Sequence, residues 1–312
     1  MNRTDTLLAS PRSAPVVASD AVPLTFTIID ERVTVDWSAA YPAVRQAVLA
    51  WFGWFATAPV AADYTVTIAV ETGDVVQRAE VSSSPPSEIR VADGRFAWRW
   101  PDGTAATYDP RQRVVTYREA LFCGLRFRQL LLMVTALRVL ERGGLILHAG
   151  ALVDAGGALL LVGTSGAGKS TLVRDAQPSD ALADDLAVLR HEDGQWWAYR
   201  SPWWQGGTGC RWPNDSPLRL PVRAGFLLQR QPDQECCTPL TPPEAIQLLT
   251  RCLWSPPLPP DHAAAFHASA VGLMAALGLA ASWHRLSYVR ANGTPWRLLR
   301  AAATVNTGAQ AA

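Results

Sequence analysis

The segment Gly163-Thr164-Ser165-Gly166-Ala167-Gly168-Lys169-Ser170 has the spacing G-x-x-x-x-G-K-[ST], and each residue type in it answers a need of phosphate binding. Glycines let the chain turn tightly enough for consecutive backbone N–H groups to converge on a β-phosphate. Lys169 can reach the β- and γ-phosphates, and the Ser170 hydroxyl can join the shell of a Mg²⁺ ion. A glycine-rich turn can carry Lys-Ser without any such role, so the surroundings decide. Upstream, Ala158-Leu159-Leu160-Leu161-Val162 is a wholly apolar run of the kind that forms a buried parallel strand. Downstream, Ser170-Thr171-Leu172-Val173-Arg174 can open a helix whose N-terminal dipole end adds positive potential. Strand, loop and helix stand in the required order, so Gly163 to Thr171 is predicted to cradle ATP.

Phosphoryl transfer also needs a metal to offset charge and a group that orients or deprotonates the acceptor. Asp184-Asp185 closes an apolar segment just after the predicted helix. Adjacent carboxylates at a strand end can converge on one metal and one acceptor hydroxyl, although a solvated turn would carry the same pair. His148 ends another predicted strand beside Ala149-Gly150, whose small size permits close approach; alone, it fits a structural histidine equally well. Trp203-Trp204 supplies rigid contact area of the kind that holds an extended peptide. A GTPase would need an Asn-Lys-x-Asp element, which Asn214-Asp215 does not supply. An ABC-type ATPase would need Leu-Ser-Gly-Gly-Gln, for which Gly206-Gly207-Thr208-Gly209 is a poor substitute.

The elements that must position these groups fall into a small α+β region and an α/β region. Residues 1–20 are polar and small and read as a disordered tail. Short β-like segments follow over 21–117, at Leu24–Ile29, Arg32–Trp37, Tyr64–Val70, Glu88–Val91, Arg95–Trp100 and Arg113–Tyr117, interrupted by a helix from Ala43 to Phe55. Val81 to Ser87 reads as a loop. From 118 to 312 the pattern predicts a helix from Arg118 to Glu141 ending at Gly143-Gly144, then strands Leu145–Leu147 and Ala151–Val153, then the strand–loop–helix unit. A strand ends near Leu182–Asp185, Gly225–Leu228 is a strand, and Pro243–Leu253 is a helix. Pro256 to Pro260 links to a helix Ala263–Ala281, and a strand pair near Leu286–Val289 and Trp296–Leu299 closes the chain.

Composition limits what the chain can be. In 312 residues, 49% are hydrophobic and 18% charged, and the net charge is +1. That is ordinary globular composition, with no global electrostatic case for nucleic acid or an anionic membrane. No apolar run reads as long enough to cross a bilayer, the best candidate lying around Leu130–Val134 between arginines. The absence of a secretory h-region and the odd count of five cysteines, with Cys236-Cys237 lacking zinc-site spacing, point to reduced thiols in a cytoplasm. Most of the thirteen tryptophans read as core or sheet-face residues. A homo-oligomer is compatible with all of this.

Leu145 to Leu189, with Leu147-His148-Ala149-Gly150-Ala151-Leu152-Val153, the Gly163–Ser170 loop and Ala183-Asp184-Asp185 in that order, resembles the catalytic domain of HPr kinase/phosphorylase and its HPr-kinase-like relatives. Their fold is similar to the nucleotide domain of ATP-type phosphoenolpyruvate carboxykinase. The resemblance implies a PEP-carboxykinase-like α/β P-loop kinase domain, with His148, Lys169, Ser170, Asp184 and Asp185 in its active site. It further implies ATP and Mg²⁺ as cofactors, Asp185 as base for an acceptor serine hydroxyl and Asp184 nearer the metal. In place of the Glu-Ile-Arg-Gly-Leu-Gly-type signature of the bifunctional enzymes stands Ser201-Pro202-Trp203-Trp204-Gln205-Gly206-Gly207, which puts HPr recognition and the reverse reaction in doubt. Pro221 to Gln229, followed by Leu240 to Ala245, looks like the relatives found with peptide-modifying operons, including lasso-peptide kinases. They too carry a non-catalytic N-terminal region. The implied function is phosphorylation of a peptide or protein serine. The alternatives are a small alcohol such as free serine as acceptor, or a nucleotide-binding regulatory or assembly protein that transfers nothing.

Overall fold

The computed structural model describes residues 23–37, 42–57, 61–70, 84–120, 122–154, 157–176, 181–203, 218–231, 235–289 and 296–304. It is a mixed α/β protein whose described residues form two eight-stranded sheets and six α-helices.

The first sheet is built from β1 (Leu24–Ile28), β2 (Glu31–Trp37), β3 (Ala56–Thr57), β4 (Tyr64–Val70), β5 (Glu88–Ala92), β6 (Arg95–Arg99), β7 (Ala105–Asp109) and β8 (Val114–Glu119), in the order β3-β1-β2-β4-β8-β7-β6-β5. Alternation drives it: along β8 the even positions Val115, Tyr117 and Glu119 are buried and Thr116 and Arg118 are exposed. The buried side packs on α1 (Pro42–Phe52) and α2 (Gly124–Glu141), with Phe26, Phe52, Tyr117 and Phe127 in edge and tilted contact. The helix expected from Arg118 begins six residues later, at Gly124. Arg118 and Glu119 instead finish β8, and the Glu119 carboxylate accepts hydrogen bonds from the Tyr117 hydroxyl (2.5 Å) and the Cys123 N–H (2.7 Å) ahead of the helix.

The second sheet contains β9 (Gly144–Asp154), β10 (Gly157–Val162), β11 (Ala181–Ala183), β12 (Leu186–Glu192), β13 (Gln195–Tyr199), β14 (Arg219–Arg230), β15 (Cys236–Pro239) and β16 (Ser282–Tyr288). Its order is β10-β9-β12-β13-β14-β16-β15, with β11 on β9 and a further pairing of β10 with β14. The strands β10, β14 and β16 run parallel, and their carboxyl ends lie together. One face carries α4 (Pro242–Cys252) and α5 (Pro260–Ala280), burying Leu147, Ala149, Leu160, Leu189 and Trp196 against Leu249, Met274 and Leu277. On the other face, Ile146, Leu186 and Val188 join the α2 core, while Leu159, Leu161 and Phe226 pack with α3 (Lys169–Asp175) and α6 (Trp296–Thr304).

Other expectations also need correction. The two strands read on either side of His148 are a single 11-residue strand, β9, because His-Ala-Gly continues the extended pairing: His148 stands opposite Leu186, and Ala149 opposite Val162. Trp296–Leu299 is the start of helix α6 rather than a strand. Leu299, Ala302 and Ala303 share its buried side and Arg297 and Arg300 its outer side, a period nearer 3.6 than 2. Lastly, α5 is long and apolar enough to cross a membrane by length and composition, with a mean hydropathy of 1.7. In the fold, Phe266, Ala270, Met274, Leu277 and Gly278 are its buried side.

Candidate nucleotide site

The run Gly157 to Val162 is buried at every position, which commits β10 to the middle of the sheet and delivers the loop to the carboxyl ends of the parallel strands. Open α/β sheets bind ligands at that end. Thr164, Ser165 and Gly166 form the exposed rim of the loop, Ala167 and Gly168 are buried, and Gly163, Lys169, Ser170 and Thr171 are half-buried. Gly168 has φ +104, a conformation that L side chains rarely adopt, and a Cβ there would collide with the Tyr288 hydroxyl. Lys169 opens α3 and folds back over the loop, its Nζ donating to the carbonyls of Gly163 (2.7 Å) and Thr164 (3.2 Å). Arg174 Nε donates to the Ser170 carbonyl at 3.0 Å, which secures the first turn of the helix.

The register of β9 brings the rest of the sequence-predicted constellation to the same end of the sheet. Ala149 pairs with Val162, the last residue before the loop, and His148 pairs with Leu186, the first residue after the aspartates. His148 is exposed. Asp184 and Asp185 form the bend between β11 and β12; Asp184 is 3% exposed and Asp185 half-buried. Gly150 stitches this corner together, because a Cβ on it would stand 3.0 Å from Val173 of α3 and 3.6 Å from the carbonyl of Asp184. Loop, histidine and carboxylates therefore share one corner.

Trp203 does not belong with them as a contact residue. It is 0% exposed and part of the core cluster that also contains the buried side of α2, so its large apolar surface serves packing. Its neighbour Trp204 lies outside the described residues.

Two groups at the loop have no signal in the local sequence. The Tyr288 hydroxyl, at the end of β16, donates to the Ala167 carbonyl at 2.6 Å. Cys252, the last residue of α4, accepts from the Gly163 N–H, and burial pushes its thiol above the usual range. Both contacts join residues far apart in sequence, so only the fold reveals them. Leu253 then bridges to Leu147, and Trp254 N–H donates to the Ile146 carbonyl at 2.8 Å, which ties the end of α4 alongside β9.

Among the described residues, no group of three or more His, Cys, Asp or Glu side chains gathers as a ready metal cage. Mg²⁺ in nucleotide sites characteristically takes one or two carboxylates and completes its shell with phosphate oxygens and water. The hard oxygen donors of Ser170 and the aspartates suit that mode.

Residues 121–253 match the family model described as SynChlorMet cassette protein ScmC. That stretch holds His148, the whole loop and both aspartates. No curated protein matches the chain. Among solved structures, the chain is similar to the HPr(Ser) kinase/phosphatase from Coxiella burnetii, at 13% identity over 46% of this chain and 85% of that one, with a TM-score of 0.27. The likeness is distant in sequence and in shape.

Proposed function

We propose that the protein is an ATP- and Mg²⁺-dependent kinase that transfers the γ-phosphoryl group to an alcohol, a serine hydroxyl of a peptide or protein. The observation that carries this reading is the meeting of Gly163–Ser170, His148 and Asp184-Asp185 at one corner of the second sheet. Nucleotide binding by itself asks only for the loop and a metal ligand. A histidine and a second carboxylate at the same corner are what a transfer reaction adds.

In this account the loop N–H groups hold the β-phosphate, and Lys169 leaves its two carbonyl partners to pair with the β- and γ-phosphates. Ser170 and the buried Asp184 would hold Mg²⁺, which offsets phosphate charge when bound. Asp185, half-buried but reachable, accepts the proton of the acceptor hydroxyl. The acceptor oxygen then forms a bond to the γ-phosphorus, the bond from that phosphorus to the bridging oxygen breaks, and ADP carries off the bridging electrons. His148, exposed and paired in register with Leu186 just after the aspartates, would hydrogen-bond the incoming hydroxyl or the transferring group.

The burial of Trp203 takes one of the two indoles that favoured an extended peptide over a small alcohol, and Trp204 lies outside the described residues. The assay therefore offers serine-containing peptides and free serine side by side, with phosphate addition read by mass spectrometry. Wild type should modify at least one acceptor, and Asp185→Asn should do so about 10²–10⁴-fold more slowly. ATP hydrolysis that is indifferent to Asp185→Asn and Asp184→Asn, with no acceptor modified, would make the chain a nucleotide-binding regulatory protein instead. A cytoplasmic setting, where ATP is abundant, belongs to the same proposal.

A further inference from the structure

The motif explains why the loop has glycines and a lysine, but it does not explain what holds the loop in one shape. The peptide between Ala167 and Gly168 is the weak point. Glycine tolerates both signs of φ, so this peptide could flip with little steric resistance, and its N–H would then turn away from the phosphate. In the trans peptide, the carbonyl of Ala167 and the N–H of Gly168 point in opposite directions. Whatever anchors the carbonyl therefore aims the N–H.

Tyr288 supplies that anchor. It is the last residue of β16 and 3% exposed, and its hydroxyl donates to the Ala167 carbonyl at 2.6 Å. Its ring lies in the core that also contains Ala167, Leu172 and Val173 and the α6 residues Leu299, Ala302 and Ala303. Register fixes its place as well, since Tyr288 stands opposite Arg230 at the end of β14, and Arg230 Nη2 lies 3.5 Å from where a Gly168 Cβ would be.

We propose that Tyr288 is a positioning residue for phosphate binding: its hydroxyl holds the Ala167 carbonyl outward so that the Gly168 N–H stays turned into the loop, which makes the β16–α6 unit a working part of the nucleotide site. The inference rests on the nucleotide-site reading above and deepens it. Because the anchored peptide meets phosphate and not the acceptor, removing the hydroxyl should be felt by every phosphate-bearing nucleotide and by no acceptor.

Tyr288→Phe keeps the ring in its core and removes only the donor. Calorimetry on the full chain should show affinity for ATP and ADP falling together by about two- to tenfold, the range of one exchanged hydrogen bond. The KM for ATP should rise by the same factor, the KM for the acceptor should stay put, and the melting temperature without nucleotide should not change. A purely structural role would lower the melting temperature and leave the affinities alone. If the variant does melt lower, amide hydrogen exchange measured well below its melting point gives the second readout, with faster exchange at Gly168 and Lys169 expected. Wild-type affinity for ATP and ADP in folded Tyr288→Phe, or unchanged loop exchange, would overturn the inference. Lys169→Ala is measured beside it: if wild type binds no ATP, or Lys169→Ala binds equally well, the nucleotide site itself is wrong. Loss in Lys169→Ala alone defeats only the role of Tyr288.

Discussion

Where the first sheet meets α2, charged side chains are buried and paired, whereas in the second sheet the candidate site residues stand where strands end. Glu31 of β2 is 5% exposed and accepts from Arg138 Nη2 at 2.6 Å, with Arg142 Nη2 at 3.0 Å from the same oxygen. Burial works against the Arg138 charge, but the hydrogen bonds and charge of Glu31 outweigh it and keep the guanidinium protonated. At the other end of α2, Arg126 pairs with Asp102 and donates to Thr104 at 3.0 Å, next to the buried Glu119. These pairs fasten α2 across the sheet. At the carboxyl end of β10 the pattern reverses: Lys169 holds only backbone carbonyls, Asp185 is half-buried and His148 is exposed. Charges matched to other side chains brace α2, and at the loop corner Lys169 is held by backbone while His148 faces solvent, which is what the proposed chemistry asks of them.

The contrast can be broken or sharpened by substitution. The largest effect belongs to Asp185→Asn, which should keep the fold and ATP affinity while lowering kcat by about 10²–10⁴-fold, the contribution of a positioned base. Asp184→Asn should also slow transfer, but raising Mg²⁺ should relieve part of its defect, and steady-state kinetics at several Mg²⁺ concentrations separates the two. On the framing side, Glu31→Gln takes the buried carboxylate from Arg138 and leaves it only the more exposed Glu141 at 3.3 Å, so it should cost about 2–4 kcal/mol in a urea unfolding curve, somewhat below the loss of a sole partner. ATP affinity should not change with it. A loss of nucleotide binding in a folded Glu31→Gln protein would mean that the two sheets are not separable in role.

The smallest effect is at Glu192, where the two kinds of region meet. Burial pushes its carboxyl up, but the Tyr199 hydroxyl (2.6 Å) and the nearby Arg190 and Arg219 prevail and hold it below the usual value. Arg190 also donates to Asp30 at 2.6 and 2.7 Å, which links β12 to the turn after β1. Because the folded-state value is depressed, the stabilisation is full above the ordinary carboxylate pKa of 4.5 and disappears as pH falls through the lower folded value. Glu192→Gln should therefore destabilise by about 1 kcal/mol at neutral pH, with the difference closing in acid. A difference independent of pH would assign the effect to packing.

Much of this architecture was readable where local pattern and tertiary need agree. The apolar run before Gly163 could only be a buried strand, and the loop spacing fixed what followed. The strands of the first sheet largely match their alternation, but β7, Ala105–Asp109, carries no signal because Ala-Ala-Thr-Tyr-Asp has too few large apolar residues to show a period. Trp296-Arg297-Leu298-Leu299 fits a short strand as well as a helix, and only the alanines that follow extend the helical side. At Trp203 residue type misled, since an indole serves a core or a contact surface equally well and burial is a property of the whole fold. Tyr288 gave no local sign because its partner, Ala167, is 121 residues away.

The central claim is that Gly163–Ser170 binds a nucleoside triphosphate, and isothermal calorimetry of ATP with Mg²⁺ into wild type and Lys169→Ala tests it most directly. Wild type should bind, and the variant should lose about ten- to a hundredfold in affinity, the worth of hydrogen bonds from an ammonium to phosphate, while its melting curve without nucleotide stays the same. Equal affinity in the two proteins, or no binding by a folded wild type, would contradict it.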